Sequence, residues 1–200
     1  MIYDNKNRYP FTFDIKKSIQ ASGVVFRTSC KTYYNYMKLL SLLYLADRES
    51  IEKSARPIIG DTFIASKRGP ILSRMLNVIK GIDIEIDKWS TYFLTYPQNQ
   101  IRLIKQPGIG SLNIFEIETL QKVTNKYINC DEFDLVEIVR ELPEWRKNYQ
   151  ANSLNKISFS DILEGLGISD KEEEYMSWAE ESLAVKQFFD KNRTKKYRST

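Results

Sequence analysis

Residues 37–49 read MKLLSLLYLADRE, and this stretch decides the fold. Wound at 3.6 residues per turn, Met37, Leu39, Leu40, Leu42, Leu43, Tyr44 and Ala46 cover nearly the whole circumference of a helix. A helix that is apolar all round is buried within its domain instead of lying on the surface. The pattern therefore predicts a central helix over Thr32–Ser54 with the other elements packed around it. It turns polar at Asp47, Arg48, Glu49 and Glu52, and Pro57 disfavours helix at the residue before it.

Outward from this segment the chain alternates helical and β-prone patterns. Upstream, Asp14 opens DIKKSIQASGVVF, an amphipathic stretch with Ile15, Ile19 and Val25 on one side and Gly23 as its weak point. Downstream, Ile58–Pro70 reads IIGDTFIASKRGP: a glycine turn, a β-prone run over Thr62–Ser66, then Gly69-Pro70. Proline suits a first helical turn, so a helix is expected from Pro70 with Ile71, Leu72, Met75, Leu76 and Ile79 on its buried face. Ser90–Tyr96 and Gln100–Lys105 flank Pro97-Gln98-Asn99 and predict a β-hairpin. QPGIGS at 106–111 is a short connecting loop.

Three acidic capping patterns follow: Asn113 with Glu116, Ser158 with Asp161, and Ser169 with Glu172. They predict helices over Ile114–Ile128, Asp131–Leu142 and from Asp170 into the 180s, with a short SFSDILEGLG turn between the last two. The expected class is α+β, mainly helical: a central buried helix surrounded by helices, with a small β-hairpin or three-stranded sheet. A length of 200 residues lets about 70% of the unfolded surface be buried. One domain over 1–185 and a basic C-terminal tail over 186–200 are expected.

Composition removes much chemistry. The absence of histidine excludes Ser/His/Asp and Cys/His nucleophiles and every His-ligated metal. Cys30 and Cys130 have no nearby cysteine with metal-ligand spacing, which fits a reducing cytosol. The longest apolar run, Leu39–Ala46, is far shorter than a bilayer span of about 20 residues, and the first ten residues lack a signal-peptide core. No Walker A loop or GxGxxG is present. Adjacent Glu172, Glu173 and Glu174 point different ways on a helix and read as a solvated face. No cofactor, metal or catalytic residue is expected, and the location expected is cytoplasmic.

Charge is unevenly placed. The formal sum is +8 over residues 1–80, −9 over 81–185 and +5 over 186–200. The halves either hold each other together or present a surface to a charged partner. Lys67 and Arg68 precede Gly69-Pro70, where a following helix N-terminus would disfavour cations. Internal pairing of Arg68 with Asp47 or Asp61 is the favoured answer, with Lys67 facing a partner. Trp145, in Pro143-Glu144-Trp145, either caps the core from the side or anchors a partner. The candidate partner contacts are Lys67, Arg68, Arg74, Trp145 and Arg146.

The ordered set MKLLSLLYLADRE, RPIIGDTFIASKRGPI (56–71), FEIETLQKV (115–123), PEW (143–145) and SFSDILEGLG (158–167) resembles the Panacea-domain family, also called SocA-like or phage-associated GepA-like, over roughly residues 13–175. The matching motif positions are Lys38, Leu39, Tyr44, Asp47, Gly60, Asp61, Gly69 and Pro70. Two features depart from the family pattern. Ser41 interrupts the KLLYLAD-type helix, and Arg140 stands near where members often carry a histidine. The resemblance implies a bacterial or phage antitoxin, encoded beside a toxin, that neutralises it by direct protein binding. Two alternatives accompany it: a nucleic-acid-binding regulator that contacts operator DNA, and an adaptor that delivers a toxin to a protease.

Overall fold

The computed structural model describes residues 10–196, with side chains described to residue 185. The side chains of the basic stretch 186–200 therefore lie outside the described residues. Asp14 caps the first helix, α1 (Ile15–Thr28), by accepting from the Lys16 and Lys17 N–H groups. Gly23 lies where a Cβ would overlap the Pro107 ring, so the loop after the hairpin can cross the helix closely. After a short strand, β1 (Tyr33–Asn35), Asn35 caps α2 (Tyr36–Ser54). Leu39, Leu40, Leu42, Leu43, Tyr44 and Ala46 are all essentially inaccessible, and α2 packs against α1 and against later elements from Gly69–Leu72 to Phe159–Leu166. The all-round apolar pattern is thus a central buried helix, although it begins at Tyr36 instead of Thr32 because Tyr33–Asn35 form β1.

The segment after α2 differs from expectation. β2 (Phe63–Ser66) turns through Lys67-Arg68 into a second strand, β3 (Gly69–Leu72), and α3 begins only at Ser73 and runs to Ile79. Gly69 takes φ +97°, a left-handed conformation that suits glycine and ends the turn. A Cβ there would also overlap Val139. Pro70 is tolerated because β3 is an edge strand. The helix starts where an acid can reach it, since both Asp61 oxygens accept from the Arg74 and Met75 N–H groups.

α4 (Ile86–Ser90) leads into the hairpin of β4 (Phe93–Tyr96) and β5 (Gln100–Leu103). Then follow α5 (Ile114–Lys126), α6 (Glu132–Arg140), α7 (Pro143–Asn148), β6 (Asn155–Ile157), α8 (Phe159–Leu166) and α9 (Glu172–Lys196). Capping boxes form at Asn113/Glu116 and Ser158/Asp161. Residues 158–167 are therefore a capped helix and not only a turn. Ser169–Lys171 is a separate 3₁₀ turn before α9, whose backbone continues past residue 185.

Two antiparallel three-stranded sheets result, ordered β1-β5-β4 and β3-β2-β6. In the second, Phe63 lies opposite Leu72 and Ile157, and β3 packs against α2 and α6. In the first, Tyr34, Ile101 and Phe93 point inward, and Phe93 meets Phe26 of α1 and stacks on Trp89 of α4. The architecture is mainly helical α+β, with two small sheets where one was expected. No helix among the described residues is long and apolar enough to cross a membrane.

Candidate partner-binding surface

The polar residues of the family-like motif face inward and hold segments together. Lys38 is buried and donates to the Ile128 and Cys130 carbonyls, which fastens the α5–α6 turn to α2. Burial and the nearby Lys31 charge lower its pKa. Leu39 is core, and Tyr44 donates to Glu144 Oε1 at 2.8 Å. That same oxygen accepts from Arg48 Nε at 2.7 Å, while an Arg48 terminal nitrogen donates to the Gly165 carbonyl at 2.9 Å. A Cβ at Gly165 would overlap the Glu144 carboxylate, so this glycine leaves room for the pair. Glu144, wholly buried, thus joins α7 and α8 to the central helix.

Asp47 accepts from the Ile58 and Ile59 N–H groups at 2.8 and 3.0 Å through one oxygen, whereas its buried Oδ2 has no hydrogen-bond partner among the described residues. Burial pushes its pKa up to about 8 against the two hydrogen bonds. Asp61 is pushed up to about 6, again by burial. Gly60 takes φ +72°, and a Cβ there would press on the Thr12 carbonyl. These carboxylates organise backbone at the entrance to β2 and α3.

Their engagement corrects the internal pairing expected for Arg68. Neither Asp47 nor Asp61 reaches its guanidinium; Lys67 and Arg68 are exposed and make no ion pair among the described residues. No helix starts directly after them, because Gly69 and Pro70 continue in a strand. Arg68 instead lines a groove of about 320 Å³ with Met37, Gln98, Asn99, Phe133 and Val136 among its walls.

The other expected contacts are distributed elsewhere. Trp145 is 6% exposed, donates to the Ser66 carbonyl at 2.9 Å and stacks on Tyr149, so it takes the core-capping place beneath the Lys67-Arg68 turn. Arg140, the residue that departs from the family pattern, lies over its ring at 5.4 Å. Arg74 pairs with Asp83 at 2.9 Å and lies over Phe13, and the Asp83 bond raises its pKa. Arg146 is exposed but pairs with Glu141. Lys67, Arg68 and Trp145 thus come together through Ser66, while Arg74 and Arg146 are held by acids.

Sequence reasoning missed the most open part of this surface. On the outer face of the first sheet Tyr33 lies opposite Arg102, and Arg102 opposite Leu94, while Asn35, Gln100 and Tyr96 form the next rung. Tyr33, Leu94 and Tyr96 are 49%, 40% and 38% exposed, whereas Tyr34 and Phe93, next to the first two along their strands, are 3% and 1% exposed. Arg102 lies over the Tyr33 ring at 5.4 Å, and the Tyr33 and Tyr96 rings approach to 6.3 Å. Between β1 and the α5–α6 turn lies a second groove of about 350 Å³, lined partly by Lys31, Tyr33 and Asn35. Asn35 and Glu132 line both grooves. The β-prone composition of the hairpin carried a signal, but its pairing with Tyr33 needs a strand hidden within a helical pattern.

The fold's centre, the Gly60-Asp61 entry and the Gly69-Pro70 hairpin all lie within one family match. The description "Antitoxin SocA-like, Panacea domain" matches residues 39–146. The chain belongs to this antitoxin-related family. No curated protein and no solved structure matches it.

Proposed function

We propose that the chain is an antitoxin that neutralises a cognate protein toxin by direct, stoichiometric binding. The observation that carries this reading is the family membership over residues 39–146, more than half of the chain, which takes in most of the buried helix and both hairpins, β2–β3 and β4–β5. The inward-facing acids fit the same reading. Asp47, Asp61 and Glu144 hold backbone groups or an ion pair, leaving surface cations and aromatics as the groups available to a partner. A bacterial or phage setting, a cytosolic location and a binding role without catalysis belong to this proposal.

The test is co-expression with the product of the neighbouring reading frame. Growth should be restored, and the purified pair should elute at a fixed molar ratio, with an interface of at least about 1,200 Å² in total. Inactivation of excess toxin by a trace of this protein would overturn binding as the means of neutralisation.

A further inference from the structure

We propose that the outer face of the β1-β5-β4 sheet, with the Arg68-lined groove at its end, receives an acidic segment of the toxin. This rests on the antitoxin reading and adds which face binds and the chemistry it meets. Aspartate and glutamate are absent from residues 15–46 and from residues 88–115. The antiparallel pairing of β1 with β5 brings these two acid-free stretches into one sheet. Arg102 stands at its centre and Lys31 at its rim, both exposed and without an ion pair among the described residues.

What sets Arg102 apart from other surface cations is that it stands among exposed aromatic and apolar side chains. Lys17, Arg48, Arg74, Lys122, Arg146 and Lys147 all pair with carboxylates. Glu132, the carboxylate in the wall of both grooves, already accepts from Asn35 at 3.1 Å. Cations left unanswered around exposed tyrosines are complementary to a partner that supplies the acids. Tyrosine and arginine are also the side chains that most often dominate protein interfaces.

The hairpin tip supports the same assignment. Gln98 and Asn99 take φ +60° and +61°, left-handed values that glycine adopts more easily than glutamine. Both line the Arg68 groove, beside Phe133 at 74% exposure. Side chains capable of hydrogen bonding are thus kept at a turn where glycine would relieve strain, and they stand at the mouth of the proposed site.

The decisive experiment uses the full chain and the purified product of the neighbouring reading frame, with affinity measured at low and high salt. Arg102→Glu and Tyr33→Ala should each weaken binding by about 30-fold or more. Arg102→Glu should also flatten the salt dependence. Lys156→Glu, a charge reversal at an exposed position on the other sheet, should stay within about threefold. Near-UV circular dichroism verifies that each variant is folded. If wild type neutralises the toxin and both sheet variants bind normally, the assigned face is wrong while the antitoxin reading stands. Equal weakening by Lys156→Glu overturns it as well, because net charge alone would then act. A single-stranded oligonucleotide of about 20 nucleotides is the counter-probe. Its capture by wild type, lost in Arg102→Glu while toxin affinity persists, would make this a nucleic-acid face and overturn the proposal. If wild type neither binds nor neutralises the toxin, both readings fall.

Discussion

The chain builds two three-stranded antiparallel sheets of the same size and uses them in opposite ways. In β3-β2-β6, Phe63, Ala65, Leu72 and Ile157 are inaccessible, and the whole of β3 is buried. In β1-β5-β4, Tyr34, Ile101 and Phe93 are equally buried, but the opposite face carries Tyr33, Leu94, Tyr96 and Arg102 into solvent. Strand number and pairing do not separate them. What lies outside each sheet does: α2 and α6 close over β3, whereas nothing among the described residues covers Tyr33 or Arg102. One sheet belongs to the core, and the other leaves an apolar and cationic face open, the kind of patch that marks an interaction site.

The largest expected effect tests this difference directly. Phe63 is 1% exposed and meets Tyr44 of the central helix edge-to-face at 5.0 Å. Phe63→Ala should destabilise the fold by about 3–5 kcal/mol through lost burial and a cavity. Tyr33→Ala, on the open face, should cost less than about 1 kcal/mol, the size of a cross-strand pair. Urea denaturation of the two variants decides it, and equal losses would break the comparison.

A smaller effect, dependent on pH, belongs to the closed sheet alone. Asp47 binds the backbone that enters β2, and burial raises its pKa from 3.8 to about 8. The folded protein therefore holds a proton that the unfolded chain releases near pH 4. Its contribution to stability is full below that pH and is lost as pH rises through about 8. Asp61, raised to about 6, acts in the same direction over the lower part of the range. Between pH 6 and 8 wild type should lose up to about 1.4 kcal/mol per pH unit. Asp47→Asn keeps an acceptor for both N–H groups and should flatten this slope, so the two stability curves approach or cross at alkaline pH. Chemical denaturation at four pH values tests it; a wild-type curve that rises over this range would show that Asp47 is charged in the fold.

The legible parts of the fold were those whose cause is local. An apolar circumference marked α2, and a side chain three residues before an acid marked the start of α5; the same pattern at Ser158 caps α8, expected only as a turn, and at Ser169 it caps no helix. β1 and β6 have three residues each and no period of their own. β6 exists because Phe63, Ile64 and Ala65 pair with residues ninety or more positions later. The helix expected from Pro70 failed for a related reason: local proline preference was overridden by a left-handed Gly69 and by Asp61 reaching across to cap residues 74 and 75. The candidate site shows the same division. Lys67 and Arg68 were visible as charges on a turn, whereas the Tyr33–Arg102–Leu94 row exists only after two distant stretches pair.

The smallest expected effect concerns where the closed sheet ends and the open face begins. Lys67 and Arg68 sit at the β2–β3 turn, structurally part of the buried sheet, yet both are exposed and neither makes an ion pair among the described residues. The turn is held by other groups: Ser66 Oγ donates to the Gly69 carbonyl and accepts from the Arg68 N–H, and Gly69 supplies the left-handed backbone. None of these depends on the two charged side chains. Lys67→Ala and Arg68→Ala should therefore each change stability by no more than about 0.5 kcal/mol, the usual range for surface positions without special contacts. Arg68→Ala should have the larger effect, because its stem lines the groove beside Phe133 and Val136 and shields part of their surface. Parallel thermal melts and urea titrations of both variants measure this. A loss above about 1 kcal/mol for Arg68→Ala would mean that the guanidinium is held internally in solution. The hairpin end would then belong to the core with the rest of its sheet, and the open face would stop at Asn99.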